Sequence, residues 1–396
     1  MKIAIVSCYG EGEANSEYAK ALETEFIALE HEVEILRLPF SVFGASSKSA
    51  KKQADCLIAE YAERLREFDF VNIHYEFLLY GRKTTDVLNR VLALINGCKD
   101  NRFSVVFHNF PEEKILTPLK LKLRHWKKKD TPSTIVQTLF HSVAKKNGIT
   151  IVHTFRHQRY IKACCPKLHT IVMPLRYQRN EDIETESTLF SKADFMAENG
   201  ISLPENTKII SIIGTLHPYK DYVSVIKALC CLPDNYHLFI FGGMHKLAFS
   251  DSSAGLPWIN KAQRLTQQFG LTNRVHFMGY QETTKDFTAS CRFSDYIVMP
   301  YMEIGESASA SAYTALENCK HVFCTRNNCF DELTSFFKES SEIEGGGGVF
   351  QFDMGNWLEL AEKIKSLPHE QRVLKNRQLF LEHYSVTENA KKCIGQ

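Results

Sequence analysis

Short β-branched runs alternate with helical patterns along almost the whole chain, and the alternation breaks once before resuming. KIAIVS, HEVEILRL, FDFVNIHY, FSVVFH at 103–108, ITIVHT at 149–154 and LHTIVMP at 168–174 are separated by segments of helical periodicity. Runs of this kind predict parallel strands buried between layers of helices. The polar stretch RYQRNEDIETES at 176–187 lacks strand periodicity and is placed as a linker. KIISIIG at 208–214, YHLFIFGG, RVHFMG, YIVMP, HVFCT and GVFQF at 348–352 then repeat the pattern. The expected architecture is α/β, with two doubly wound domains at 1–180 and 181–375. Terminal helices at 376–396 have the option of crossing back to the first domain. Open sheets hold ligands beyond the carboxyl ends of their strands, so a cleft between the two sheets is the expected place of function.

Composition removes several alternatives. With 48 Lys and Arg against 46 Asp and Glu, no global charge favours wrapping nucleic acid. No apolar run reaches the length of a spanning helix, and MKIAIVSCYGEGE reads as a first strand rather than a signal peptide. Twelve cysteines without a C-x-x-C motif suit reduced thiols in a cytoplasmic protein. One local segment stands out: LKLKLRHWKKKD at 119–130 carries six Lys or Arg among Leu119, Leu121, Leu123 and Trp126. It reads as a contact with an anionic membrane surface, as a mobile, solvated loop or, third and weaker, as a nucleic-acid contact, which no stacking motif accompanies.

Strand-end loops supply the candidate chemistry. Gly10 and Gly12 follow the first strand, but Asn15 occupies the third glycine position of a dinucleotide fingerprint, so the turn reads as a tight βα connection or a close approach to a phosphate or sugar. Lys220, after GTLHPY, sits just before a helix, where an ammonium and unpaired N–H groups converge on an anion; a solvated surface Lys is the alternative. After Pro300, the loop with Gly305, Glu306, Ser307, Ala308 and Ser309 is small enough to let a ligand reach the backbone. Glu306 there reads as a ligand contact or as an ordinary helix-terminal carboxylate. His74 and His108 each end a strand, which places them on the functional edge of a sheet or in structural hydrogen bonds. His153 and His157 lack acidic or Cys partners and do not suggest a metal site. The glycines at 345–348 read as a turn.

With these loops the chain resembles the retaining glycosyltransferases of family 4, over nearly its whole length and most strongly in its second half. The resemblance implies the GT-B fold of two Rossmann-like domains. GTLHPYKD is similar to the family's G-x-I-R-P-Y-K-G signature, which implies that Lys220 binds a donor diphosphate. His217 or Thr215 then stands where forms of that signature have Arg. FIFGG, with Gly242, and HFMGYQE resemble the next two strand ends, and imply a nucleobase contact at Tyr280 and Gln281. Glu306-Ser307-Ala308-Ser309 aligns with the first Glu of the family's E-x7-E motif, implying a donor-sugar contact. The second Glu, the ribose ligand, is Thr314 here; Glu317, three residues on, is offered as its substitute. His108 stands where the family has a His near the donor sugar, Gly10 and Gly12 match its glycine-rich first loop, and His74, Tyr75 and Glu76 resemble an acceptor-side element.

The implied activity is hexosyl transfer from a nucleotide-diphosphate sugar, as co-substrate, to a hydroxyl on a glycan or lipid-linked glycan, with retention. The resemblance calls for no metal or other cofactor and no nucleic-acid partner. It suits polysaccharide biosynthesis in the cytoplasm, with the basic segment offering a peripheral membrane contact. The rival reading keeps the fold as a catalytically weak sugar-nucleotide or glycan-binding partner subunit. An epimerase, a phosphorylase and a dehydrogenase are further alternatives.

Overall fold

The computed structural model describes residues 1–10, 14–217, 219–243, 256–279, 281, 283–302, 307–319, 321–338, 348–367 and 370–396. The first unit, Met1–Arg179 with Tyr384–Gln396, holds β1 Lys2–Ser7, β2 Glu32–Arg37, β3 Phe70–Tyr75, β4 Phe103–Phe107, β5 Ile149–Val152 and β6 Thr170–Val172. They form one parallel sheet in the order β2-β1-β3-β4-β5-β6. Ile3, Ala4, Ile5 and Val6 are fully buried on both faces of β1, the reason this strand reads as an unbroken apolar run.

The second unit, Asn180–His383, holds β7 Lys208–Ile213, β8 Tyr236–Phe241, β9 Val275–Phe277, β10 Tyr296–Met299, β11 Val322–Thr325 and β12 Val349–Phe352. Its parallel sheet runs β12-β11-β10-β7-β8-β9. Each sheet reverses its winding once, between β1 and β3 in the first unit and between β7 and β10 in the second. The loops leaving neighbouring strands diverge there and open a crevice. All twelve strands among the described residues coincide with runs marked by the sequence.

Three local readings change. The linker stretch is helical from Asn180 to Leu189, because its acidic first turn, Glu181 and Asp182, complements a helix start. The mobile-loop alternative for the basic segment gives way to a helix, Pro118–Trp126, begun by Pro at its first position. The end of the chain was expected to divide at 375/376; the contacts divide it after His383. Helix Glu370–His383 belongs to the second unit, where Arg377 Nε donates to Leu316 O (2.8 Å). Helix Val386–Cys393 lies on the first unit, Thr387 Oγ1 donating to Glu25 Oε1 (2.6 Å) and Asn389 Nδ2 to Pro174 O (3.1 Å). No described helix is long and apolar enough to cross a membrane.

Candidate functional site

In the second unit the switch point brings the ends of β7 and β10 together. Gly214 follows β7 with φ +112°, and a Cβ there would lie 2.7 Å from Lys220 Nζ and 3.4 Å from Ser311 Oγ. The missing side chain is therefore the space in which the ammonium rests. Lys220 is only 2% exposed; Nζ donates to Ile213 O (3.3 Å) and lies 5.6 Å from the centre of the Tyr301 ring. Lys220 also bridges to Tyr301 in antiparallel fashion, while Asp221 N donates to Pro300 O (2.9 Å) and Met302 N to Tyr219 O (2.7 Å). These bonds lace the two strand-end loops into one surface.

Two helices begin at this surface. Asp221 caps helix Tyr222–Cys230, Oδ1 accepting from Ser224 N (3.1 Å). Ser309 caps helix Ala310–Asn318, Oγ accepting from Ala312 N (3.3 Å) and lying 3.3 Å from Tyr301 Oη. Tyr301 is itself anchored, its carbonyl accepting from Thr325 Oγ1 (2.7 Å). Helix starts carry N–H groups that lack intrahelical partners and a partial positive charge, so cation and dipoles have the same sign at one place. A pocket of about 290 Å³ opens beside them, lined by Lys220, Asp221, Tyr222, Val223, Trp258 and Met302.

The remaining donor-side candidates divide by position. Ser307 and Ser309 are buried and Ala308 half-buried at the start of the second capped helix. Gly242 sits where a Cβ would meet Gly214 O at 3.0 Å, so the β8 end presses on the β7 end. Thr215 is half-buried; His217 is exposed, its ring 4.5 Å from that of Tyr219. Gln281 Oε1 accepts from Ser290 Oγ (3.0 Å). Thr314 Oγ1 donates to Ala310 O (3.2 Å) of its own helix, and Glu317 is buried, its carbonyl accepting from Arg377 Nη2. Gly12, Tyr280 and Glu306 lie outside the described residues, as do the glycines at 345–347. Tyr301, Ser311 and Trp258 were not foreseen; only Tyr301, first past the Pro300 strand end, carried a positional signal.

In the first unit, the carboxyl ends of β3, β4 and β5 carry a line of buried imidazoles. His74 Nδ1 lies 3.3 Å from His108 Nε2, and His108 Nδ1 lies 3.2 Å from His153 Nε2. The Tyr18 ring packs on all three. His108 uses opposite nitrogens towards its two neighbours, so the rings form a chain rather than a cup for an ion. Among the described residues no group of three or more His, Cys, Asp or Glu is arranged to hold a metal.

Met173 O, 3.1 Å from His153 Nδ1, can only accept, and Asn72 Oδ1 lies 2.8 Å from His74 Nε2 at the other end. His74 Nδ1 also lies 3.1 Å from Ser7 Oγ, and Asn72 Nδ2 donates to Ser104 Oγ (2.8 Å), so two hydroxyl groups share the hydrogen bonding at this end of the line. Burial, ahead of the neighbouring imidazoles, holds His74 down at about 3 and His108 well below the usual imidazole range. Burial likewise lowers His153 to about 4, against the opposing bond to Met173.

Gly10, φ +71°, turns the chain so that its N–H donates to Ser16 Oγ (2.8 Å). Asn15 Nδ2 donates to Glu76 Oε2, tying helix Ala14–Ala28 to the β3 end; burial pushes the Glu76 carboxyl up, with the Asn15 bond opposing. Tyr75 points into the core against Tyr80 and Phe107.

Residues 196–381 match the family model described as glycosyl transferases group 1. No curated protein sequence matches the chain. Among solved structures, a glycosyltransferase from Rickettsia africae is similar at 12% identity and TM-score 0.62, covering 100% of this chain and 99% of that one. The Anabaena protein HepE in complex with UDP and glucose is similar at 16% identity and TM-score 0.54, covering 100% and 95%. The UDP-forming α,α-trehalose-phosphate synthase from Burkholderia vietnamiensis is similar at 10% and 0.62, covering 99% and 98%. These likenesses establish the fold as GT-B, two Rossmann-like domains with parallel sheets. Fold and family model together support a GT-B glycosyltransferase.

Gly214→Ala adds a methyl group where the Lys220 ammonium rests and forces a left-handed conformation, a strain of about 1–3 kcal/mol. Affinity for inorganic pyrophosphate measured by calorimetry is expected to fall about tenfold or more with the circular dichroism spectrum unchanged; unchanged affinity would contradict the packing argument. The imidazole chain generates a pH dependence. Its folded-state pKa values lie below the unfolded value of 6.5, so its stabilisation is complete above that value and is lost as pH falls towards about 4 and 3. Urea unfolding is expected to show stability falling through this window, with a shallower fall in His153→Gln; stability constant down to the lower pH would refute the neutral chain.

Proposed function

We propose that this protein transfers a hexosyl group from a nucleoside diphosphate sugar to a hydroxyl acceptor, with retention at the anomeric carbon. The observation that carries the reading is the Lys220 ammonium, buried at the β7/β10 switch point against Gly214 and beside two capped helix starts. The ammonium and the two helix starts carry charge of one sign at one place, which suits an anionic ligand. A pyrophosphate supplies two charges of the opposite sign. UDP is the favoured nucleotide, because UDP stands in the descriptions of the Anabaena and Burkholderia proteins that share the fold.

In the transfer step the bond between the anomeric carbon and the diphosphate oxygen breaks, and negative charge grows on the leaving group. Lys220 and the first-turn N–H groups of helices Tyr222–Cys230 and Ala310–Asn318 are fixed before the reaction, so they stabilise that charge without reorganising. Charge neutralisation falls to these protein groups rather than to a metal ion. Retention follows from the family resemblance, in which the acceptor attacks from the face the diphosphate leaves and a departing phosphate oxygen takes its proton. The acceptor is a glycan or lipid-linked glycan, in keeping with polysaccharide biosynthesis at the cytoplasmic face of a membrane.

A second reading, a sugar-nucleotide or glycan-binding partner subunit with weak catalysis, draws on Thr314, whose hydroxyl is engaged with its own helix where the family has a carboxylate. Product analysis separates the two. The expected result with UDP-hexoses is a glycoside of retained anomeric configuration, with turnover lowered about a hundred- to a thousandfold in Lys220→Ala. Near wild-type turnover in that variant would remove Lys220 from the mechanism, and no turnover with any donor would favour the partner subunit.

A further inference from the structure

The crossover between β4 and β5 leaves the same sheet edge that carries His108 and forms helix Pro118–Trp126 before helix Pro132–Lys145. Its first position is Pro118, and its end is fixed by Lys128 at φ +53°, with Lys128 N donating to His125 O (2.9 Å) and Lys129 N to Arg124 O (2.9 Å). The helix packs against Pro132–Lys145 and buries one side chain, Leu121, at 3% exposure. Its other large apolar residues face outwards: Leu119 is 77% exposed, Leu123 48% and Trp126 77%.

At 3.6 residues per turn those three outward residues share an arc of about 60°, opposite Leu121. Lys120 and Lys127 flank the arc on one side and Lys122 on the other. Between Lys114 and Asp130 no acidic residue occurs. The nearest carboxylates are engaged, Asp130 with His125 Nδ1 (2.8 Å), Glu113 with Thr131 Oγ1 (3.3 Å) and Glu112 with Arg156 Nε (2.9 Å). An apolar stripe between two basic rows, on a helix whose inner face is already committed, has the form that lies in the plane of a lipid headgroup layer.

We propose that helix Pro118–Trp126 seats this protein on an anionic bilayer, Leu119, Leu123 and Trp126 entering the headgroup boundary and the lysines pairing with lipid phosphates. The charge commits the surface to an anionic lipid, and the exposed Leu and Trp stripe separates it from a purely electrostatic nucleic-acid surface, which has no use for apolar side chains. The consequence, resting on the glycosyl-transfer reading, is that the acceptor is lipid-borne and meets the protein at the sheet edge from which this helix departs.

Co-sedimentation of the full chain with vesicles of phosphatidylcholine alone, or with part of it replaced by phosphatidylglycerol, tests the docking without nucleotide or acceptor. Binding to the anionic vesicles only is expected. Lys120→Gln, Lys122→Gln and Lys127→Gln together should weaken it about a hundredfold, near fivefold for each charge. Leu119→Ser, Leu123→Ser and Trp126→Ser together should weaken it about tenfold or more. All six positions are exposed, so the variants keep the fold, which circular dichroism checks. Equal binding to both vesicle types, wild-type binding by the Ser variant, or self-association through the stripe without vesicle binding would overturn the proposal. UDP titration of the same proteins reads the donor site separately: vesicle binding without UDP binding sinks the donor reading and leaves the docking standing.

Discussion

A lysine ammonium seated against a strand end that has no side chain is the constraint from which the rest of the second unit follows. Lys220 can occupy that place only because Gly214 leaves it empty, and Gly214 is needed there twice, for its positive φ and for the missing methyl. The lacing of the β7 loop to the β10 loop through Tyr301, Pro300 and Met302 then holds the cation where two helices start. Parallel topology supplies the place and the chain's small residues supply the clearance. Neither alone seats the ammonium.

The first unit answers the same topology with different chemistry. Its strand ends carry neutral rings instead of a cation, linked through both nitrogens of His108 and closed at each end by an amide or a carbonyl. Such a chain fixes ring orientation with neutral imidazoles, where the β7/β10 crevice holds a buried lysine.

What could be read in advance was set by the range of the interactions concerned. Strands buried on both faces announce themselves as apolar runs, and a Lys between a strand and a helix is visible from local order alone. Adjacency in space is not visible in the same way. His74 and His108 stood out as strand-end residues, but their link through His153 exists because β4 lies between β3 and β5. Tyr301 and Ser311 join Lys220 because the sheet folds β10 back beside β7, a pairing that no local pattern specifies. The basic segment was legible as amphipathic, while the face it turns outwards depended on the helix Pro132–Lys145 that packs against it.

The central claim is that this crevice grips a diphosphate, and the stability of the unmodified protein in the presence of nucleotides tests it most directly. UDP at about a hundred times its dissociation constant should raise unfolding stability by about 2.7 kcal/mol, UMP should need a much higher concentration for the same effect, and added salt should weaken both. Stabilisation by uridine equal to that by UDP, or none by either nucleotide, would contradict the account.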